Sequence, residues 1–205
     1  MSAGHYFAER PDMGSSRRSI TLALPDLSLA LVTDRGVFAG DRIDAGTRYL
    51  LLEAPPPPPS GHLLDLGCGY GPIALTLARR SPGATVWAVD VNERARELCA
   101  ENAAAHSLTN VRCVSPDDVP DDVAFATIWS NPPIRIGKQP LHALLGRWLR
   151  RLVPGATGHL VVQKHLGADS LATWLAENGF DVQRRGSRQA YRLLDVTCAS
   201  STAPA

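Results

Sequence analysis

Two short segments of this 205-residue chain carry residue types whose spacing could do chemistry. The first is Asp65-Leu66-Gly67-Cys68-Gly69-Tyr70-Gly71, which closes an apolar run and leads into a helical pattern opening at Pro72. Without a Cβ, Gly67, Gly69 and Gly71 let the backbone turn sharply and let a ligand approach it closely, with Cys68 carried inside the same loop. A dinucleotide loop would read GxGxxG, but here the glycines read GxGxG with Pro72 next, and an acidic residue, Asp65, sits in the turn. A diphosphate would be repelled by Asp65, whereas the ammonium of a methionine moiety would be attracted.

The second segment is Asn131-Pro132-Pro133-Ile134. The exocyclic amine of a nucleobase is a poor nucleophile because its lone pair is delocalised into the ring. The Asn131 side-chain oxygen and the Pro132 carbonyl could hold its two hydrogens and aim the lone pair at an electrophilic methyl. Pro132 and Pro133 stiffen the loop, so orientation costs little on binding. Ile134 would give the base a flat apolar contact without π-stacking. Arg135 and Lys138 follow directly, and Lys164 follows the next strand; Lys138 and Lys164 are the only lysines in the chain. They read either as a phosphate-contacting rim or as a solvated edge. Arg184, Arg185 and Arg188 could extend such a patch.

Acidic residues complete the set. Asp90 ends the apolar run after the glycine loop, where such sheets place a carboxylate that holds both ribose hydroxyls; Asn92 shares the alternative duty of capping the following helix. Asp117 lies in Ser115-Pro116-Asp117-Asp118. It reads either as an acceptor for an adenine amino group or as part of a solvated turn.

The elements that must position these residues are legible in the hydrophobic pattern. Strands are expected over His62–Leu66, Thr85–Asp90, Val111–Val114, Ala124–Ser130, His159–Lys164, Phe180–Arg185 and Ala190–Thr197. Helices are expected over Pro72–Arg80, Glu93–His106, Pro140–Leu152 and Asp169–Asn178. Alternating strands and helices imply an α/β fold with a seven-stranded, mostly parallel sheet covered on both faces, its last strand antiparallel after a turn at Arg185–Arg188. Residues 1–54 read as a β-rich extension packed on this core, with short antiparallel strands between Ser19 and Asp44 and a helix over Arg48–Glu53 capped by Thr47. A proline-rich linker follows over 55–60, the main domain over 61–197, and a disordered tail over 198–205.

Bulk properties exclude other classes. A hydrophobic content of 44% and a charged content of 20% describe an ordinary globular protein, and a net charge of +1 leaves any nucleic-acid contact to a local patch. Cys68, Cys99, Cys113 and Cys198 show no metal-ligand spacing, so no metal is expected. The opening residues lack a signal peptide, and no run approaches the roughly 20 apolar residues of a membrane span. A cytoplasmic location without membrane partners is expected.

The chain resembles the class I, Rossmann-like methyltransferases, and more closely the "methyltransferase small domain" family. The resemblance rests on His5-Tyr6-Phe7, the segment Thr33–Leu51 (TDRGVFAGDRIDAGTRYLL), DLGCGYG, and SNPPIRIGK from Ser130 to Lys138. It implies S-adenosylmethionine as cofactor. Asp65, Gly67 and Gly69 would then contact the methionine part, Asp90 the ribose and Asp117 the adenine. Asn131 and Pro132 would meet the target amine, and Phe38 and Thr47 would border the pocket. The resemblance implies methylation of guanine N2 in small-subunit ribosomal RNA, with that RNA or the small ribosomal subunit as partner. Two alternatives stand beside it: N-methylation of a protein side-chain amide or small molecule, and a non-catalytic, cofactor-binding RNA module. His5-Tyr6-Phe7 reads either as a flap over the site or as a packing staple.

Overall fold

A computed structural model describes residues 15–39 and 41–199. His5-Tyr6-Phe7 and residues 200–205 lie outside the described residues. The chain opens with a hairpin of β1 (Arg18–Ala23) and β2 (Ser28–Thr33), followed by α1 (Ala45–Glu53). The described residues of the segment between them carry no strand, although strands were expected as far as Asp44. Its start is tied down by Asp34, whose carboxylate accepts from the Ser15 hydroxyl at 2.7 Å and from the Arg35 backbone N–H at 2.7 Å.

Eleven further elements follow as β3 (Ser60–Leu66), α2 (Pro72–Arg80), β4 (Gly83–Val89), α3 (Glu93–Ala105), β5 (Val111–Val114), β6 (Phe125–Ser130), α4 (Lys138–Leu149), β7 (Leu152–Gln163), α5 (Ala168–Glu177), β8 (Phe180–Arg188) and β9 (Tyr191–Cys198). Seven strands form one sheet in the order β5-β4-β3-β6-β7-β9-β8. The first five pair in parallel, and β9 runs antiparallel to both of its neighbours. Because chain order reverses between β3 and β6, their carboxyl ends lie side by side, with Asp65 registered against Trp129. A crevice opens at such a switch point, and both chemistry-bearing segments emerge there.

Alternation along the strands sends successive side chains to two cores. Leu63, Trp129 and Val161 face the layer of α1, α2, α3 and the β1–β2 hairpin. Leu64, Ile128, Leu160 and Val162 face α4 and α5, where Trp148, Leu171 and Leu175 cover them. The hairpin and α1 contribute Leu22, Leu29, Leu31, Leu50 and Leu51 to the first core, all essentially inaccessible. Burying each such leucine stabilises by roughly 1.5–3 kcal/mol, which holds α1 against the crevice.

Five expectations are corrected. Helix α1 starts at Ala45 with Asp44, not Thr47, as its N-cap; Asp44 accepts from the Thr47 N–H at 2.9 Å. Helix α4 starts at Lys138 and keeps Pro140 in its first turn, where no intrahelical N–H is required. Lys164 belongs to a short 3-10 turn, Lys164–Leu166, and not to β7. The expected turn at Arg185–Arg188 is strand with a register shift between Arg184 and Gly186; the chain reverses at Gln189-Ala190, with Gln189 at φ 51°. Gly186 serves packing, because a Cβ there would run into the Tyr49 hydroxyl. Cys198, expected in the tail, is paired with Phe180 as the last residue of β9.

Candidate functional site

A cavity of about 780 Å³ opens at the switch point, lined on one side by the glycine loop and on the other by Asn131–Arg135. The loop is pinned from below, since the N–H groups of Gly67 and Cys68 both donate to the Val89 carbonyl, at 2.8 and 3.1 Å. Gly67 and Gly69 have φ of +80° and +54°, and a Cβ built on either would meet nothing within 4 Å. Their bare backbone therefore faces open space. Gly71 differs, since at φ +98° its Cβ would fall 2.6 Å from Leu75 Cδ1 and 2.7 Å from Cys99 Sγ. It lets α2 start against α3 instead of leaving room for a ligand.

Two carboxylates organise this floor. Asp90 lines the cavity; its Oδ2 accepts from the Gly69 N–H at 2.9 Å and its Oδ1 from the Asn92 N–H at 2.9 Å. Burial raises its pKa against the opposing effect of these two N–H donors. Asp65 is fully buried behind the loop and does not line the cavity. Its Oδ2 accepts from the Ala74 N–H at 2.9 Å, while Oδ1 has no donor among the described residues. Burial, reinforced by the neighbouring Asp90 charge, holds its carboxyl well above the usual range. A ligand carrying positive charge relieves this pair, whereas a diphosphate would aggravate it.

Other expected residues divide. Cys68 and Asn92 line the cavity. A hydrogen bond to Cys99 is the largest single influence and favours its thiolate, but burial and the charges of Asp90 and Asp65 together outweigh it and push the Cys68 thiol up to about 12, so it packs and does not react. Asn92 caps α3 through the Ala95 N–H and donates to the Gly36 carbonyl at 2.8 Å, tying the Gly36–Phe38 stretch to the site. Phe38 stands at the rim, 48% exposed. Asp117 points away: its side chain is 90% exposed, with Arg147 at 3.4 Å, and Pro116 takes the place in the lining expected for it. β5 ends level with β4, Val114 against Val89, and the turn that follows presents its proline inward and its carboxylates to solvent.

On the opposite wall, Ser130 donates to the Leu66 carbonyl at 2.7 Å and locks the end of β6 to β3. Asn131 Nδ2 then donates to Asp44 Oδ2 at 2.8 Å and to Thr47 Oγ1 at 3.0 Å. No donor among the described residues reaches Asn131 Oδ1. The Pro132 carbonyl accepts from the Ile134 N–H at 2.8 Å around Pro133 at φ −75° and ψ 73°, an inverse γ-turn that leaves one lone pair of that carbonyl unused. Ile134 and Arg135 line the cavity, while Lys138 and Lys164 flank it without lining it. Of the hairpin arginines, Arg184 pairs with Asp169 and Arg185 with Asp195, leaving Arg188 without an ion pair among the described residues. Asp44, Gln163, Leu166 and Tyr191 also line the cavity and were not foreseen. Only Asp44 had a local signal, as an aspartate three residues before Thr47 at a helix start. Among the described residues no cluster of three or more His, Cys, Asp or Glu could hold a metal ion, and no helix is long and apolar enough to cross a membrane.

With fold and site in view, the relatives of the chain agree. The sequence model of the methyltransferase small domain matches residues 28–194. The chain belongs to this family of S-adenosylmethionine-dependent methyltransferases, in the Rossmann-like class I fold. The Bacillus subtilis (strain 168) protein YbxB is 35% identical over 193 residues, 93% of this chain and 96% of that protein. Ribosomal RNA small subunit methyltransferase C of Pseudomonas aeruginosa (strain LESB58) is 34% identical over 77% of the chain, which spans 51% of that relative. Among solved structures, the Thermus thermophilus 16S rRNA N2 G1207 methyltransferase in complex with AdoMet and guanosine superposes with a TM-score of 0.72 at 22% identity, over 92% of this chain and 52% of that one. The chain thus spans about half the length of the ribosomal RNA methyltransferases it matches.

Proposed function

We propose that the chain methylates the exocyclic N2 of a guanine in small-subunit ribosomal RNA, alone or within the assembling subunit. The observation that carries this reading is the Asn131 amide, whose nitrogen is engaged by Asp44 and Thr47 and whose oxygen is left to the cavity. S-adenosylmethionine supplies an electrophilic sulfonium methyl when bound. Asp90 would hold the ribose with the second lone pairs of its two oxygens, the bare backbone at Gly67 and Gly69 would admit the methionine part, and Asp65 beneath would complement its ammonium. Pro116 offers the adenine an apolar contact, and Phe38 closes the rim.

Asn131 Oδ1 and the unused lone pair of the Pro132 carbonyl would accept the two hydrogens of the target amine. Both groups are neutral, so they orient the nitrogen and do not extract its proton first. This is catalysis by placement, with no covalent intermediate on the chain. Ile134 would press on the base, and Arg135, Lys138, Lys164 and Arg188 would contact phosphates around the mouth. Support for ribosomal RNA as acceptor comes from the ribosomal RNA methyltransferases among the relatives.

The test is transfer of labelled methyl from S-adenosylmethionine to unmodified 30S particles or free rRNA, followed by mapping of the product. Label in N2-methylguanosine is expected, and label in protein or no label at all overturns the acceptor. Asn131→Ala should lower kcat by about 100-fold or more while leaving cofactor affinity within about threefold.

A further inference from the structure

An asparagine amide is nearly symmetric in shape but opposite in function at its two ends. Turned by half a rotation, Asn131 would offer two donors to an amine that also donates, and would repel it. Something must choose the end, and the Thr47 hydroxyl cannot, because it both donates and accepts. The geometry points to Asp44 as the positioning residue that fixes the Asn131 amide with its oxygen facing the cavity. This inference rests on the reading of Asn131 as the group that orients the amine.

An ionised carboxylate only accepts, so the Asp44 oxygen 2.8 Å from Asn131 is compatible with the amide nitrogen alone. Asp44 is itself held. The same oxygen accepts from the Thr47 N–H at 2.9 Å, and burial together with the neighbouring Asp44 charge raises the pKa of the Tyr191 phenol. The Tyr191 ring lies so close over Gly46 that a Cβ there would fall 2.6 Å from its Cε1. Three distant parts of the chain thus meet: the start of α1, the loop after β6 and the start of β9. Asp44 does not touch the reacting atoms. It acts through Asn131.

Asp44→Ser separates capping from positioning, because serine caps a helix as well as aspartate does but is shorter and can donate as well as accept. Asp44→Asn retains an acceptor for both the Thr47 N–H and the Asn131 amide. In spectra of protein labelled at asparagine nitrogen, the Asn131 side-chain amide is assigned by its loss in Asn131→Ala. Its solvent exchange should quicken by about tenfold or more in Asp44→Ser and by much less in Asp44→Asn. In methyl transfer to unmodified rRNA, Asp44→Ser should lose about tenfold or more in kcat with KM and cofactor affinity held. Asp44→Asn should recover to within about threefold, and Asp44→Ser should add nothing to Asn131→Ala.

Unchanged amide exchange in Asp44→Ser overturns the proposal. So does a loss that appears only in KM, in cofactor affinity or in thermal stability, or one that adds fully to that of Asn131→Ala. If the unaltered protein transfers no methyl to rRNA, the acceptor reading fails by itself, and amide exchange alone decides the role of Asp44.

Discussion

The floor of the cavity and its acceptor wall are built from different kinds of connection. The floor is local: Asp65 to Gly71 is one strand-to-helix turn, and Asp90, one unit later, clasps it through the Gly69 N–H. The wall is assembled across the chain, with Asn131 reaching Asp44 over 87 positions and Tyr191 closing behind. A floor of that kind suits a cofactor common to many enzymes, because one βαβ unit carries all of it. The wall, which must match one acceptor, depends on elements outside that unit. Changes in the floor should therefore register in folding and cofactor affinity, and changes in the wall in turnover.

The sharpest test of the floor lies in two of its own glycines. Gly71→Ala would thrust a methyl into Leu75 and Cys99 at a backbone angle of +98°, and should destabilise by about 3 kcal/mol. Gly67→Ala, at +80° with open space ahead, should cost only about 1 kcal/mol in stability but weaken S-adenosylmethionine by about tenfold or more. Denaturant unfolding paired with calorimetric titration reads both. Equal stability losses would show that the loop does not divide into a packing glycine and a ligand-facing glycine.

A smaller effect is expected from Asp90, whose pKa burial raises above that of an ordinary aspartate. If Asp90 holds the ribose as proposed, a proton taken up there removes an acceptor, and cofactor affinity should fall as pH drops through that raised value. Folding of the free protein should respond with the opposite sign. The folded state binds this proton more readily than the unfolded state, so the contribution of Asp90 to stability declines as pH rises from its unfolded value to its folded one. Asp90→Asn should bind about tenfold more weakly at neutral pH and lack this part of the pH dependence. Parallel pH profiles for the two proteins would remove Asp90 from the ribose site.

How much of this was readable beforehand follows the same division. Helix α2 was placed at its observed bounds and strands β3, β4 and β5 closely, because apolar runs there are punctuated by glycine, proline and a capping asparagine within a few residues. Asn131, Pro132 and Pro133 were singled out by position at a strand end, and they do line the cavity. Asp44 and Tyr191 were not singled out: the local pattern around Asp44 signals only a helix cap, and its approach to Tyr191 joins α1 to β9 across the chain. Gly186 was misread as a turn for the same reason, because the Tyr49 hydroxyl that requires it belongs to another element. Asp117 failed differently. Its sequence context was right, since the turn after β5 does reach the cavity, but the residue of that turn that faces inward is Pro116.

Asp117 therefore supplies the smallest prediction, and the one that draws the boundary of the floor. With its side chain 90% exposed and its one ion pair, to Arg147, also at the surface, Asp117→Ala should change both stability and cofactor affinity by less than about twofold. Pro116→Gly, which strips an apolar contact from the lining, should weaken S-adenosylmethionine by more than Asp117→Ala does. Titration of the two variants side by side checks the order. If Asp117→Ala proves the weaker binder, the Ser115–Asp118 turn must swing its carboxylate over the adenine when the cofactor binds. The floor would then include a third acidic contact that forms only with the ligand in place.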